Sequence, residues 1–344
     1  MAVEDATIAD GCTEGDVASP LGRSLYDDAV TNDRMQHLNS SSSNSTISGN
    51  TDPVAPSVVM GLCCLVGVPG NIAVVVVIAR SFKRENFTLK MMLNLAVSDL
   101  LCLITLPVWI YSLLYGWSFG PAVCKFISYL VYCSLYASVL TVTLMSVQRY
   151  LTVLYTQCWA RLRGTGERVL LVALWGLACL FASPNIPTRD IVNKRNLMRC
   201  QRRCTDELKV TVLLLETLLG FVLPFSILVT SYFCLHKKVN QTAFFSSQRM
   251  TKLVTSIVVT FFIFWIPVHV INMVDISTTL LKTSHPDTYE SLKSFRRASG
   301  DVSKALVFIN SCINPFLYAF ASRSLRSNAQ QTEEKKAATQ TSNV

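Results

Sequence analysis

Apolar residues run through this chain in long blocks, at about 57–79, 89–114, 123–154, 169–186, 210–235, 253–276 and 302–320, with short polar stretches between them. A helix that crosses a bilayer needs roughly 20 consecutive apolar residues, so the pattern predicts seven membrane-spanning helices. The blocks divide the chain into three regions. Residues 1–54 are rich in Ser, Asn and Asp and nearly free of aromatic side chains, which reads as a disordered segment. Residues 55–321 form the helical domain, and 322–344 a short polar tail. The expected fold class is an all-α membrane protein, a seven-transmembrane helix bundle.

Composition agrees with lipid as the solvent. Of 344 residues, 51% are hydrophobic and only 15% charged, where soluble domains carry about a quarter charged residues; mean hydropathy is +0.38. Lys and Arg in short loops set the orientation. Arg80, Lys83, Arg84 and Lys90 follow span 1, and Arg161, Arg163 and Arg168 lie between spans 3 and 4. Lys237, Lys238, Arg249 and Lys252 follow span 5, and Arg323 and Arg326 follow span 7. These four segments share one side, which is expected to be cytoplasmic together with the C-terminus, leaving the N-terminus extracellular. The acidic start, without basic leader or apolar core, is not expected to be a cleavable signal peptide. Asn39 and Asn44 head N-glycosylation triplets in the N-terminal segment.

Twelve cysteines are present, eight of them in spans or on the expected cytoplasmic side, where they serve as small apolar fillers. Cys12, Cys124, Cys200 and Cys204 face an oxidising exterior that permits pairing. Cys124 at the outer end of span 3 can tie the loop after span 4, and spacing alone does not choose between Cys200 and Cys204. No phosphate loop, HExxH motif or metal-spaced CxxC pair occurs, and His37, His236, His269 and His285 are scattered. The chain is therefore not expected to be an enzyme, to carry a cofactor or to bind nucleic acid.

An ionisable group inside a membrane helix costs about 2.5–3.5 kcal/mol even on lenient scales, so each is a functional candidate. Here these are Asp99, Arg149, Arg189 near an outer end, Glu216 and Lys304. Pro69, Pro107, Pro184, Pro224, Pro267 and Pro315 interrupt six spans. Each frees a carbonyl and kinks its helix, which a bundle can use as a hinge or simply as a packing irregularity.

Motifs in successive spans carry a resemblance over about 57–321: Gly70-Asn71, then Leu95-Ala96-Val97-Ser98-Asp99, then Trp117-Ser-Phe-Gly ahead of Cys124. They continue with Arg149, Trp175, Pro224 and Tyr232, then Phe261-x-x-x-Trp265-x-Pro267, and finally Asn314-Pro315-x-x-Tyr318. Together and in order they resemble the rhodopsin-like G-protein-coupled receptors. The resemblance implies that Asp99, Ser138, Asn310, Ser311 and Asn314 hold an allosteric sodium ion, since a hard cation wants oxygen ligands; a polar cluster holding only water is the alternative. It also makes Arg149, Tyr232, Phe261, Trp265, Pro267, Pro315 and Tyr318 activation switches. The family's Asp-Arg-Tyr triplet reads Gln148-Arg149-Tyr150 here. Losing the acid removes a charge-assisted partner of the guanidinium, so elevated ligand-free signalling is expected.

The loop after span 4 is basic, with seven Lys and Arg against three acids over 188–209. Such a mouth attracts an anionic ligand, or else faces the acidic N-terminal segment. Ser134-Leu135-Tyr136-Ala137-Ser138 in span 3, Ala182-Ser183-Pro184 with Arg189 beyond it, Glu216 eight residues before Pro224, and Phe264-Trp265-Ile266-Pro267-Val268-His269 are similar to leukotriene B4 receptors. That similarity implies an anionic lipid ligand, leukotriene B4 or a related hydroxy fatty acid, with Arg189, Glu216 and Tyr136 as polar contacts. Lys304 would add charge or snorkel to the membrane edge, Trp109, Val131, Leu135 and Phe308 would line an apolar tunnel, and Ser128 stands where the family carries His. Gly300 replaces a family Arg, with Arg296 and Arg297 a turn away. Tyr136 could instead be core, and Glu216 could simply pair with Arg189. Family spacing favours Cys200 as the partner of Cys124, leaving Cys204 free or paired with Cys12. The implied partners are a heterotrimeric G protein, of the inhibitory class with the Gq class as alternative, and arrestin, at the plasma membrane, in chemotactic and inflammatory responses. Competing readings are a receptor for an acidic chemoattractant peptide and, more remotely, a transporter or retinal protein; the latter would need a buried Lys where Phe308 stands.

Overall fold

The computed structural model describes residues 54–80, 87–162, 164–194, 197–239 and 245–341. Asn39, Asn44, Cys12, Lys83 and Arg84 lie outside them. Eleven helices and one hairpin follow in order among the described residues: α1 (Val54–Arg80), α2 (Phe87–Leu103), α3 (Leu106–Tyr115), α4 (Gly120–Leu154), α5 (Thr156–Leu162), α6 (Thr165–Ala182), α7 (Asn185–Thr188), β1 (Arg189–Lys194), β2 (Leu197–Arg202), α8 (Asp206–Thr217), α9 (Leu223–Val239), α10 (Phe245–Leu281) and α11 (Pro286–Thr341). Within these, six helical stretches are long and apolar enough to cross a membrane. The seventh expected span, 302–320, lies inside α11. That helix continues to Thr341, through the stretch expected as a polar tail.

Polarity is inverted relative to a water-soluble bundle. Leu65, Val172 and Phe233 are exposed on outer faces while Asn71, Asp99 and Asn314 are buried within. Lipid accepts the former, and the latter must find partners inside. The central helix is α4, 67% buried over its apolar stretch against 22% for α1. Helices close on it through small residues and polar bolts. A Cβ added at Gly67 would stand 2.7 Å from the Leu103 side chain and 2.8 Å from Cys312 Sγ, so α1, α2 and α11 meet where only glycine fits. Asn71 Nδ2 donates to the carbonyls of Gly67 and Ser311, both at 3.0 Å, fastening α1 to α11. Trp175 Nε1 donates to Asn94 Oδ1 (2.8 Å), and Asn94 Nδ2 donates to Thr141 Oγ1 (2.7 Å), which bolts α6, α2 and α4 together.

Two spans are not the continuous helices the hydropathy suggests. Span 2 is broken between α2 and α3, where Thr105 Oγ1 turns back to donate to the Cys102 carbonyl (2.7 Å) and Pro107 opens the next helix. Proline suits a first helical turn because its missing N–H would have no partner there. Span 5 carries a π turn over Leu218–Val222, with the Leu223 N–H bonded to the Leu218 carbonyl. Pro224 has no N–H to give the Gly220 carbonyl, and the wider turn accommodates that missing bond.

Candidate functional site

The loop after α7 folds back as an antiparallel hairpin in which Arg189 faces Arg202 and Ile191 faces Cys200. A disulfide joins Cys124, in the first turns of α4, to Cys200, as family spacing suggests, and Cys204 has no disulfide partner among the described residues. Side chains alternate faces along a strand, so Cys200 pulled onto the bundle brings Arg202 to the same face. The register then sets Arg189 beside it. Arg199 donates to the carbonyls of Ser112 (2.8 Å) and Leu113 (3.1 Å), a cation on the carbonyl end of α3. The Trp117 N–H donates to the Met198 carbonyl (2.8 Å). The hairpin is thereby fixed to the bundle at three points.

Under it, Arg202 forms a partly buried ion pair with Glu216 of α8 and also donates to Asn185 Oδ1 (3.3 Å). Burial pulls its guanidinium down, but Tyr132 and Glu216 alongside outweigh this and hold it above its ordinary value. The alternative pairing of Glu216 with Arg189 is thus corrected: the carboxylate meets Arg202. Arg189 instead donates to Tyr132 Oη (3.3 Å), with its guanidinium carbon 5.6 Å from that ring's centre. Its Nε is buried without a partner among the described residues. Arg202 and Tyr132 were missed in the sequence because neither lies in a family motif; the two-residue offset from Cys200 was the available signal for Arg202.

The other expected contacts are spread below this cluster. Tyr136 packs edge to face on Phe181 (5.7 Å) in a core with Cys133, Leu174 and Ala178. Ser128 Oγ lies 3.7 Å from Cys200 Sγ, directly beneath the disulfide. Trp109 contacts Trp117 (5.6 Å), and its Nε1 is buried without a partner among the described residues. Val131, Phe308 and the partly buried Leu135 share the same apolar cluster with Trp109. Lys304 is exposed on α11, one turn from Phe308. Arg296 is committed elsewhere, its Nε donating to Asp275 Oδ1 of α10 (2.9 Å). That pair borders a cavity of about 280 Å³, also lined by Asp206, Lys209, Lys282 and Lys293, between α8, α10 and α11.

Deeper, Asn314 Nδ2 donates to Asp99 Oδ2 (2.7 Å) and Ser138 Oγ to Asp99 Oδ1 (3.2 Å), with Ser98 Oγ 3.0 Å from Ser138 Oγ. Asn310 and Ser311 are buried beside them, and Asn310 Oδ1 has no partner among the described residues. One carboxylate, hydroxyls and an unused amide oxygen fit a hard cation of low charge. No group of three or more His, Cys, Asp or Glu that would suit a softer or more highly charged ion occurs among the described residues. Phe261 stacks on Trp265 (4.9 Å), both buried, with Val139 and Val307 around them. Pro267 and Pro315 lie inside α10 and α11. Tyr232 is exposed, and the Tyr318 side chain lies outside the described residues.

At the far end of α4, Arg149 Nη2 donates to Thr88 Oγ1 (3.2 Å), and Thr88 Oγ1 donates to Gln148 Oε1 (3.2 Å). Gln148 stands where the adjacent acid would be, so Arg149 meets a neutral hydroxyl on α2, and its Nε has no partner among the described residues. Thr88 escaped the sequence reading because a single hydroxyl at a helix start carries no pattern.

The family model described as "7 transmembrane receptor (rhodopsin family)" matches residues 70–318. Human leukotriene B4 receptor 1 is 35% identical over 277 residues, covering 79% of this chain and 78% of the relative. The zebrafish (Danio rerio) apelin receptor A is 32% identical over 292 residues, covering 77% and 78%. The turkey (Meleagris gallopavo) type-1 angiotensin II receptor is 32% identical over 284 residues, covering 78% and 77%.

Proposed function

This chain belongs to the rhodopsin family of seven-transmembrane receptors, a class of multi-pass membrane proteins that are not enzymes, and from that premise we propose that it is a plasma-membrane receptor for leukotriene B4 or a related hydroxy fatty acid. The observation that carries this reading is the Arg189–Arg202 rung held over the bundle, with Glu216 and Tyr132 as its partners. A fatty acid presents one carboxylate on a long apolar chain. Arg202 is already neutralised by Glu216, so within this rung the net positive charge rests on Arg189, whose Nε has bonding capacity to spare. The carboxylate docks there, and the chain runs past Ser128 toward Trp109, Val131 and Phe308. Tyr136 and Glu216 flank that path. The relatives named for leukotriene B4 support the same ligand class.

Signal passes to a heterotrimeric G protein, of the inhibitory class or Gq, and later to arrestin, at the Arg149 end. Asp99, Ser138, Asn310, Ser311 and Asn314 would hold a sodium ion whose charge favours the resting packing of α2, α4 and α11. Raising sodium is then expected to lower agonist affinity, since an ion selecting one state opposes a ligand selecting the other, and Asp99→Asn removes that dependence. The orientation follows the Lys and Arg distribution, with the hairpin outside.

An acidic peptide is the second reading, favoured by the cavity in which Lys209, Lys282, Lys293 and Arg296 outnumber Asp206 and Asp275. Competition binding separates the two. Displaceable binding of labelled leukotriene B4 to intact membranes supports the lipid reading; its absence, with displaceable binding of an acidic peptide, overturns it.

A further inference from the structure

One turn inward from Glu216, Gly220 sits in the π turn of span 5. A Cβ there would stand 3.5 Å from Tyr136 Cε1 and 3.7 Å from His269 Cε1, so the glycine leaves the facing surfaces of these two rings uncovered. His269 is 6% exposed, and neither of its ring nitrogens has a hydrogen-bond partner among the described residues. The indole of Trp265 is stacked 5.9 Å away, and its Nε1 is likewise buried and unpartnered. The walls are apolar, with Phe221 stacked on the imidazole at 4.8 Å. Buried polar groups are almost always bonded, and those that are not call for an explanation.

A neutral imidazole offers one donor and one acceptor, and the indole one more donor. A charged group would be costly to bury in these walls, and an alkyl group would leave all three atoms unsatisfied. A hydroxyl both donates and accepts, so it matches them. We infer that His269 and Trp265, with the space that Gly220 leaves beside the imidazole, form a second polar subsite that takes a hydroxyl group carried on the apolar chain of the ligand. This deepens the lipid-acid reading and rests on it: Arg189 takes the carboxylate, and His269 reads a hydroxyl farther along the chain. Neither residue belongs to the charged cluster at the mouth, so the two contacts can be removed separately.

The test compares two probes on intact membranes, leukotriene B4 and the corresponding fatty acid without its chain hydroxyls. The wild-type receptor is expected to prefer the hydroxylated acid by at least roughly tenfold, because a site that bonds a hydroxyl rejects the analogue lacking it. His269→Leu should reduce that ratio several-fold, and His269→Gln, which keeps a donor and an acceptor, should restore part of it. Arg189→Ala should weaken both acids and leave the ratio unchanged. Surface labelling confirms that each variant reaches the membrane. Equal binding of both acids to the wild type, or an unchanged ratio in His269→Leu, overturns the subsite while the lipid reading stands. Binding of neither acid overturns both.

Discussion

Two partly buried arginines stand at opposite ends of α4, and they are held in different ways. At the Cys124 end, Arg202 meets the carboxylate of Glu216 and the amide oxygen of Asn185. About 25 residues along, or roughly 37 Å at the helical rise, Arg149 meets only the hydroxyl of Thr88 among the described residues, and Thr88 turns its own proton toward Gln148. A buried pair stripped of one partner leaves an uncompensated charge, whereas a neutral hydrogen bond contributes only about 0.5–1.5 kcal/mol net. The difference teaches a division of labour. The hairpin end is a fixed frame for binding, and the Arg149 end is a lightly latched switch.

The contrast can be broken first at the hairpin end. Glu216→Ala leaves the partly buried Arg202 without its carboxylate and should cost about 1.5–3 kcal/mol of stability, read as lower surface expression and earlier thermal inactivation; an unshifted melting profile contradicts the fixed-frame account. Next, Arg189→Ala should keep surface expression, because this guanidinium carries no ion pair among the described residues, while agonist potency falls roughly 10–100-fold with the loss of a charge-assisted bond. Smaller effects are expected at the other end. Gln148→Asp gives Arg149 an adjacent carboxylate and should lower ligand-free G-protein activity several-fold, measured as nucleotide exchange in membranes. Thr88→Ala removes the hydroxyl latch and should raise that activity by a few-fold, in line with the loss of one neutral hydrogen bond. If the two substitutions move basal activity in the same direction, the latch is misassigned.

Much of the frame was legible in the sequence because lipid enforces it. Long apolar blocks admit only helices, and buried Asp99 and Asn314 had to find each other, as they do. Prolines marked the irregular turns without revealing their form: Pro107 became a helix start after a break, and Pro224 became a π turn that places Gly220 before His269. Pairings set by strand register were not legible. Arg202 reaches Glu216 only because Cys200 is pinned to Cys124, a contact across 76 residues that no local pattern encodes. The Thr88 latch was hidden for the same reason, being one hydroxyl on one helix opposite one guanidinium on another.

The most direct measurement is the calcium or cAMP response of cells expressing this chain, wild type beside Arg189→Ala, to a panel of hydroxy fatty acids that includes leukotriene B4. A wild-type response at low agonist concentration, shifted to much higher concentration by Arg189→Ala at equal surface expression, is the expected result. Silence of the wild type across the panel, or equal potency in the two receptors, would contradict it.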